Sequence, residues 1–149
     1  MKVRYAHTNI IAMDWKKLSA FYSSVFGMKS VPPRRDLSGE LVDALTGIKN
    51  AHIEGEHLAL PGYEDTAPTL EIFSYNKSEK GAKGINANGF AHIAFEVDDV
   101  EAMLAKVKKA GGGQLGEAVR AEYPGGVTAM FVYAKDPEGN IIELQSWNR

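Results

Sequence analysis

The sequence predicts an α+β fold made of two tandem modules, each a strand, a helix and then about three strands. Three observations predict it. A strand-like segment hands over to a helical one twice, with an offset of 85 residues. Each half closes on a lone Glu inside an apolar strand-like run, Leu70-Glu71-Ile72 and Ile142-Glu143-Leu144. Between the halves, residues 76 to 89 are rich in Lys, Gly and Asn, with Ile85 the one aliphatic residue larger than Ala, which reads as a connecting segment.

Residues 5 to 13 are rich in β-formers and run into Asp14, a good helix N-cap. From there Trp15, Leu18, Phe21, Tyr22, Val25 and Phe26 recur at helical spacing, and Gly27 stands where a left-handed residue would end the helix. This aromatic stripe reads as core packing. The second half repeats the design. Residues 90 to 97 are strand-like, Asp98 is placed to cap with Glu101 three residues on, and Val100, Met103, Leu104, Val107 and Ala110 keep the helical period up to Gly111-Gly112-Gly113. Shifting by 85 superimposes Ala6, His7 and Asp14 on Ala91, His92 and Asp99, and the apolar positions Ile10, Trp15, Leu18 and Tyr22 on Phe95, Val100, Met103 and Val107. From His7 to Glu71 is 64 residues and from His92 to Glu143 is 51, so the first half carries 13 more, expected in loops around Pro32-Pro33-Arg34-Arg35 or Pro61 to Pro68. Tyr123-Pro124-Gly125-Gly126 is a hairpin turn, and Asp136-Pro137-Glu138-Gly139-Asn140 is a turn into the last strand. The layout is one domain: a first module over 1–76, a linker over 77–89 and a second module over 90–149.

Composition bounds the function. A chain of 149 residues with 44% apolar and 24% charged residues is ordinary globular protein of one domain's size. The formal net charge is −2 and there is no basic run that could track a phosphate backbone, so nucleic acid is not an expected partner. No charge-free stretch approaches the roughly 20 apolar residues of a membrane span. The first residues, broken by His7, Asn9 and Asp14, lack a signal peptide's apolar segment, so the expected location is cytoplasmic. The absence of Cys excludes disulfides, thiolate metal sites and cysteine nucleophiles. Any metal must be held by His and carboxylate.

Strand side chains alternate faces, so His7 shares a face with Tyr5, Asn9 and Ile11, and His92 with Phe90 and Ala94. Likewise Glu71 lies with Thr69, Phe73 and Tyr75, and Glu143 with Ile141, Gln145 and Trp147. A carboxylate on so apolar a face is costly without a cation, and these strands offer no Lys or Arg partner. A divalent metal answers both Glu at once: His7, Glu71, His92 and Glu143 form an N2O2 set with up to two open positions, suited to nickel, cobalt, zinc, manganese or iron. His and Glu recur at matched positions of the repeat, which surface accidents have no reason to do. His52 and His57 lack that symmetry, stand beside Glu54 and Glu56, and read as a solvated stretch.

The chain resembles the vicinal oxygen chelate superfamily, the group of glyoxalase I, methylmalonyl-CoA epimerase, extradiol dioxygenases and bleomycin- or fosfomycin-resistance proteins. The resemblance rests on the opening His strand, on Phe-Tyr-x-x-Val-Phe-Gly-Met from Phe21 to Met28, on Gly-Phe-Ala-His-Ile-Ala-Phe-Glu-Val-Asp-Asp from Gly89 to Asp99, and on Asp-Pro-Glu-Gly-Asn-Ile-Ile-Glu-Leu from Asp136 to Leu144. It covers nearly the whole chain. It implies two βαβββ modules whose mixed, curved sheets surround a metal-centred cleft, with His7, Glu71, His92 and Glu143 as ligands in the manner of bacterial-type glyoxalase I. Epimerases of the group typically carry Gln near the Glu71 position. Glyoxalase I usually has an Arg after its first His to hold the glutathione carboxylate, where this chain has Asn9-Ile10-Ile11, and its glutathione-binding Asn falls nearest Asn76.

The function so implied is a metal-dependent lyase or isomerase that transfers a proton α to a carbonyl, the metal stabilising the enediolate and Glu143 or Glu71 acting as base. The alternatives are an extradiol-type iron(II) dioxygenase using His7, His92 and Glu143, disfavoured because Glu71 occupies a position and no further His lies on an evident site strand, and a non-catalytic binder of the bleomycin-resistance type. The expected partners are a small-molecule substrate and a second copy of the chain, since the resembling family pairs modules across two chains and two-fold homodimers are the commonest oligomer. Candidate substrate contacts are Tyr75, Met130, Tyr133 and Trp147 for apolar parts, with Arg34, Arg35, Lys77 or Arg120 for an anionic group.

Overall fold

The computed structural model describes all 149 residues, which divide into two compact units, Met1–Lys80 and Gly81–Arg149. The first contains β1 (His7–Ile11), α1 (Trp15–Phe26), β2 (Lys29–Ser38), α2 (Glu40–Thr46), β3 (His52–Ala59) and β4 (Thr69–Tyr75). The second contains β5 (His92–Glu96), α3 (Val100–Lys109), β6 (Gly113–Glu122), β7 (Thr128–Lys135) and β8 (Ile141–Asn148), with a single 3-10 turn at Pro124–Gly126. Residues 76 to 91 carry neither helix nor strand.

Each unit holds one four-stranded mixed sheet, ordered β1-β4-β3-β2 and β5-β8-β7-β6. The first strand pairs in parallel with the last, and the other neighbours are antiparallel. This is the βαβββ module made twice. In each unit the helix is the crossover from the first strand to the second, which lie at opposite edges of the sheet with the last and third strands between them.

Both crossover helices are started by a carboxylate. Asp14 Oδ1 accepts from the Lys17 backbone N–H at 3.1 Å, a bond that also holds the Asp14 carboxyl below its ordinary range. Gly27, at φ 68°, ends α1 and donates its N–H to the Ser23 carbonyl, a conformation that costs glycine nothing. In the second helix the cap is Asp99, whose Oδ1 accepts from the Ala102 N–H at 2.9 Å. The expected cap, Asp98, is displaced by one residue, because the repeat that superimposes Asp14 on Asp99 governs the turn more strongly than the spacing to Glu101.

The helix-facing side of each sheet is the core. In the first unit Leu18, Tyr22, Leu58, Leu70 and Ile72 are at most 1% exposed, and in the second Val100, Val107, Ala134, Ile142 and Leu144 are equally buried. Each of the Val, Leu and Ile side chains among them contributes about 1.5–3 kcal/mol. The handover from β1 to α1 is pinned to β4: Ser74 Oγ donates to the Ala12 carbonyl at 2.8 Å and accepts from the Trp15 N–H at 3.1 Å.

The extra length of the first module lies in part where expected, in the loop holding Pro61 to Pro68, and in part elsewhere. Pro32 to Arg35 lie within β2, at a register shift between Val31 and Arg35. The additional residues form α2, in a β2-to-β3 connection of 39–51 where the second unit has 123–127, and a longer loop, 60–68 against 136–140. Both expected turns of the second unit are present. Tyr123 N–H donates to the Val127 carbonyl, and Asp136 Oδ1 accepts from the N–H groups of Glu138 and Asn140.

Candidate metal centre and substrate face

Strand alternation gives each sheet a second face, turned away from its helix, and the register shows what occupies it. In the first unit β1 sets Asn9 beside Glu71 of β4, and β3 sets His57 directly opposite Glu71 and Gly55 opposite Phe73. In the second unit Ala94 stands beside Glu143 and Tyr133 stands opposite it. The two Glu are thus flanked by neighbours at equivalent places. Leu70 and Ile72, or Ile142 and Leu144, anchor the strand in the core on either side of each carboxylate.

The expected pairs form within each unit. His7 Nε2 lies 3.9 Å from Glu71 Oε2, and His92 Nε2 lies 3.0 Å from Glu143 Oε2. His7 is half-exposed and His92 partly exposed, whereas Glu71 and Glu143 are largely covered. Neither Glu has a Lys or Arg at ion-pair distance; their partners are imidazoles alone. Imidazole nitrogen beside carboxylate oxygen, with no competing cation, is a donor set that fits a divalent transition metal.

His57 corrects the sequence reading. Instead of belonging to a solvated stretch, its side chain is 16% exposed, with Nε2 at 2.8 Å from Glu71 Oε2 and Nδ1 at 2.8 Å from Thr69 Oγ1. Its ring meets that of His7 edge-on at 5.6 Å and that of Phe73 at 6.0 Å. Burial pushes the His57 imidazole below its ordinary value, against the opposing pull of the Glu71 charge. A further His does therefore lie on a site strand. Its signal was the hairpin register: pairing β3 with β4 around the 60–68 loop brings position 57 opposite position 71. Neighbouring Glu56 is also buried, on the core-side face, where Ser30 Oγ donates to it at 2.5 Å and Arg34 Nε lies 3.8 Å away. Asn9 was missed too. Its Nδ2 donates to Glu71 Oε1 at 2.9 Å and to the Glu71 carbonyl at 3.2 Å.

His52 stays apart, bound to Asp36 at 2.6 Å and half-exposed. Asn76 is occupied by backbone, since its Oδ1 accepts from the His52 N–H and its Nδ2 donates to the Asn50 carbonyl. Among the candidate substrate contacts, Tyr75 shares the face of Glu71 in the first sheet, and Tyr133 and Trp147 share that of Glu143 in the second, whereas Met130, paired with Ser146 and Arg120, belongs to the opposite face of its sheet. Phe131 takes its place, edge-on to Trp147 at 5.5 Å. Arg34 is engaged by Glu56 and lies over the Trp15 ring at 5.7 Å.

With fold and donor geometry in view, the family model for the glyoxalase/bleomycin resistance protein/dioxygenase superfamily matches residues 4–144. The chain belongs to this superfamily. It is 30% identical over 142 residues to a probable lactoylglutathione lyase of Vibrio parahaemolyticus, covering 95% of this chain and 88% of that protein. An ethylmalonyl-CoA/methylmalonyl-CoA epimerase of Cereibacter sphaeroides is 24% identical over 147 residues, covering 95% and 96%. The crystal structure of a glyoxalase family protein from Bacillus cereus superposes with a TM-score of 0.74 at 20% identity, covering all of this chain and 95% of the other. The superfamily fold accounts for both βαβββ units. No helix of the chain is long and apolar enough to cross a membrane.

Proposed function

We propose that this superfamily member is a metal-dependent lyase or isomerase that moves a proton on the carbon α to a carbonyl of a small-molecule substrate, with His7, Glu71, His92 and Glu143 as the ligand set for one divalent metal. The observation that carries the reading is the His–carboxylate pair built twice on neighbouring parallel strands, one pair in each unit. Relatives named as a lyase and an epimerase support the same chemistry.

A divalent ion bound by these residues supplies Lewis acidity that favours negative charge on substrate oxygens. The side chains divide the remaining work. Both oxygens of Glu71 are held, Oε1 by the Asn9 amide and Oε2 by His57, so this carboxylate is fixed in place. Glu143 is oriented through Oε2 by His92 and keeps Oε1 without a protein partner. Glu143 is therefore the base that accepts the α proton, and Oε1 is the atom that takes it. Phe131, Tyr133 and Trp147 supply apolar surface on the same face as Glu143, shielding the carbon acid from water.

The test is solvent-deuterium exchange into α-hydroxy carbonyls and acyl thioesters by metal-reloaded protein. Exchange with at least one of these is expected, together with a loss of about 10²-fold or more in Glu143→Gln compared at equal metal occupancy. Oxygen uptake with iron(II) and a catechol, or full exchange in Glu143→Gln, refutes the assignment.

A further inference from the structure

His57 is the site-face residue that the repeat does not explain. The position opposite the strand carboxylate is His57 in the first unit and Tyr133 in the second, and the Tyr133 ring meets His92 edge-on at 5.2 Å. The first unit alone thus brings two imidazoles to one carboxylate. One ring nitrogen each of His7 and His57 and an oxygen of Glu71 lie within 4.8 Å of one another, on β1, β3 and β4 of a single sheet.

We infer that His57 is a metal ligand, completing with His7 and Glu71 a two-histidine, one-carboxylate set borne wholly by the first unit. The inference rests on the proposed metal dependence and extends its ligand set. Two features support ligation over a purely positioning role. The donor atoms converge from three strands whose spacing the sheet sets, so small side-chain rotations bring them onto one ion. Thr69 already engages the other ring nitrogen, Nδ1, at 2.8 Å, as the outer partner of a metal-bound imidazole does. A hydroxyl both donates and accepts. The tautomer with its proton on Nε2 would donate to Glu71 and accept from Thr69 at Nδ1. The other tautomer, with the proton on Nδ1 donated to Thr69, would leave Nε2 bare for a metal with the ring still neutral.

The chain has four His, so ring nitrogen-15 NMR of the full protein, titrated with zinc(II), reads each one. Coordination moves a ring nitrogen to a value between protonated and bare nitrogen, whereas a positioning residue keeps its Nε2–H. His57 Nε2 is expected to take the coordinated value together with His7, while His52 does not move. His57→Gln is expected to bind zinc(II) about 10²-fold or more weakly, and His52→Ala as tightly as wild type. If His7 and His92 shift and His57 keeps its Nε2–H, the inference is overturned and the four-ligand reading stands. If His7 and His57 shift without His92, the inference stands and the second unit's share of the proposed set fails. Absence of any shift overturns both.

Discussion

Gly55→Ala tests the packing that holds the site, and its magnitude follows from the structure. Gly55 stands opposite Phe73 in the β3–β4 ladder, and the Phe73 ring lies across the space a side chain would fill. A methyl there overlaps the Ile72 carbonyl oxygen and comes within 2.5 Å of Phe73 Cδ1 and 2.9 Å of Phe73 Cα, where carbon atoms prefer about 3.5–4.0 Å. Two of these three obstacles are backbone, so rotating the ring relieves only one of them. The strands must part locally, which adds about 1–3 kcal/mol of overpacking to the loss of one or two ladder hydrogen bonds at about 0.5–1.5 kcal/mol each. A destabilisation of about 3 kcal/mol lowers the urea midpoint by about 1–3 M and Tm by roughly 6–12 °C. The same change disturbs the Phe73 ring where it packs on His57, so under the ligation inferred above zinc(II) affinity is expected to fall too. Gly113→Ala is the control, since a methyl there meets nothing within 4 Å. Urea unfolding of both variants decides the matter. A Gly55→Ala midpoint equal to wild type, or an equal loss in Gly113→Ala, refutes the reasoning.

Other outcomes follow from the same geometry. Asp99→Ala removes the cap of α3 and is expected to cost about 1 kcal/mol in urea unfolding, with Asp98→Ala near neutral. The depressed His57 value gives the metal-free protein a pH signature: the unfolded chain takes up a proton near pH 6.5 that the folded chain resists, so stability is lost as pH falls through 6.5. His57→Gln should flatten that part of the profile, measured as urea midpoint against pH. Sedimentation at micromolar concentration is expected to show a homodimer, and a species of 16.2 kDa would contradict it.

The sequence by itself determined the parts that depend on local order. Helical period, an Asp before each crossover helix and the recurrence of His and Glu in apolar strands are one-dimensional patterns, and they specified two βαβββ modules, both crossover helices and two His–Glu pairs, while α2 went unread. The superfamily resemblance named the same four residues. What only the tertiary structure decided depends on strand register. Whether position 57 faces solvent or Glu71 turns on how β3 pairs around the 60–68 loop, because a slip of one residue sends every side chain to the opposite face. The same rule moved Met130 off the site face and put Phe131 on it. It also set Asn9 beside Glu71, across a parallel pairing between strands more than sixty residues apart. Periodicity is a property of one strand, but a metal centre is made from several, and their alignment is a non-local choice made by the packed sheet.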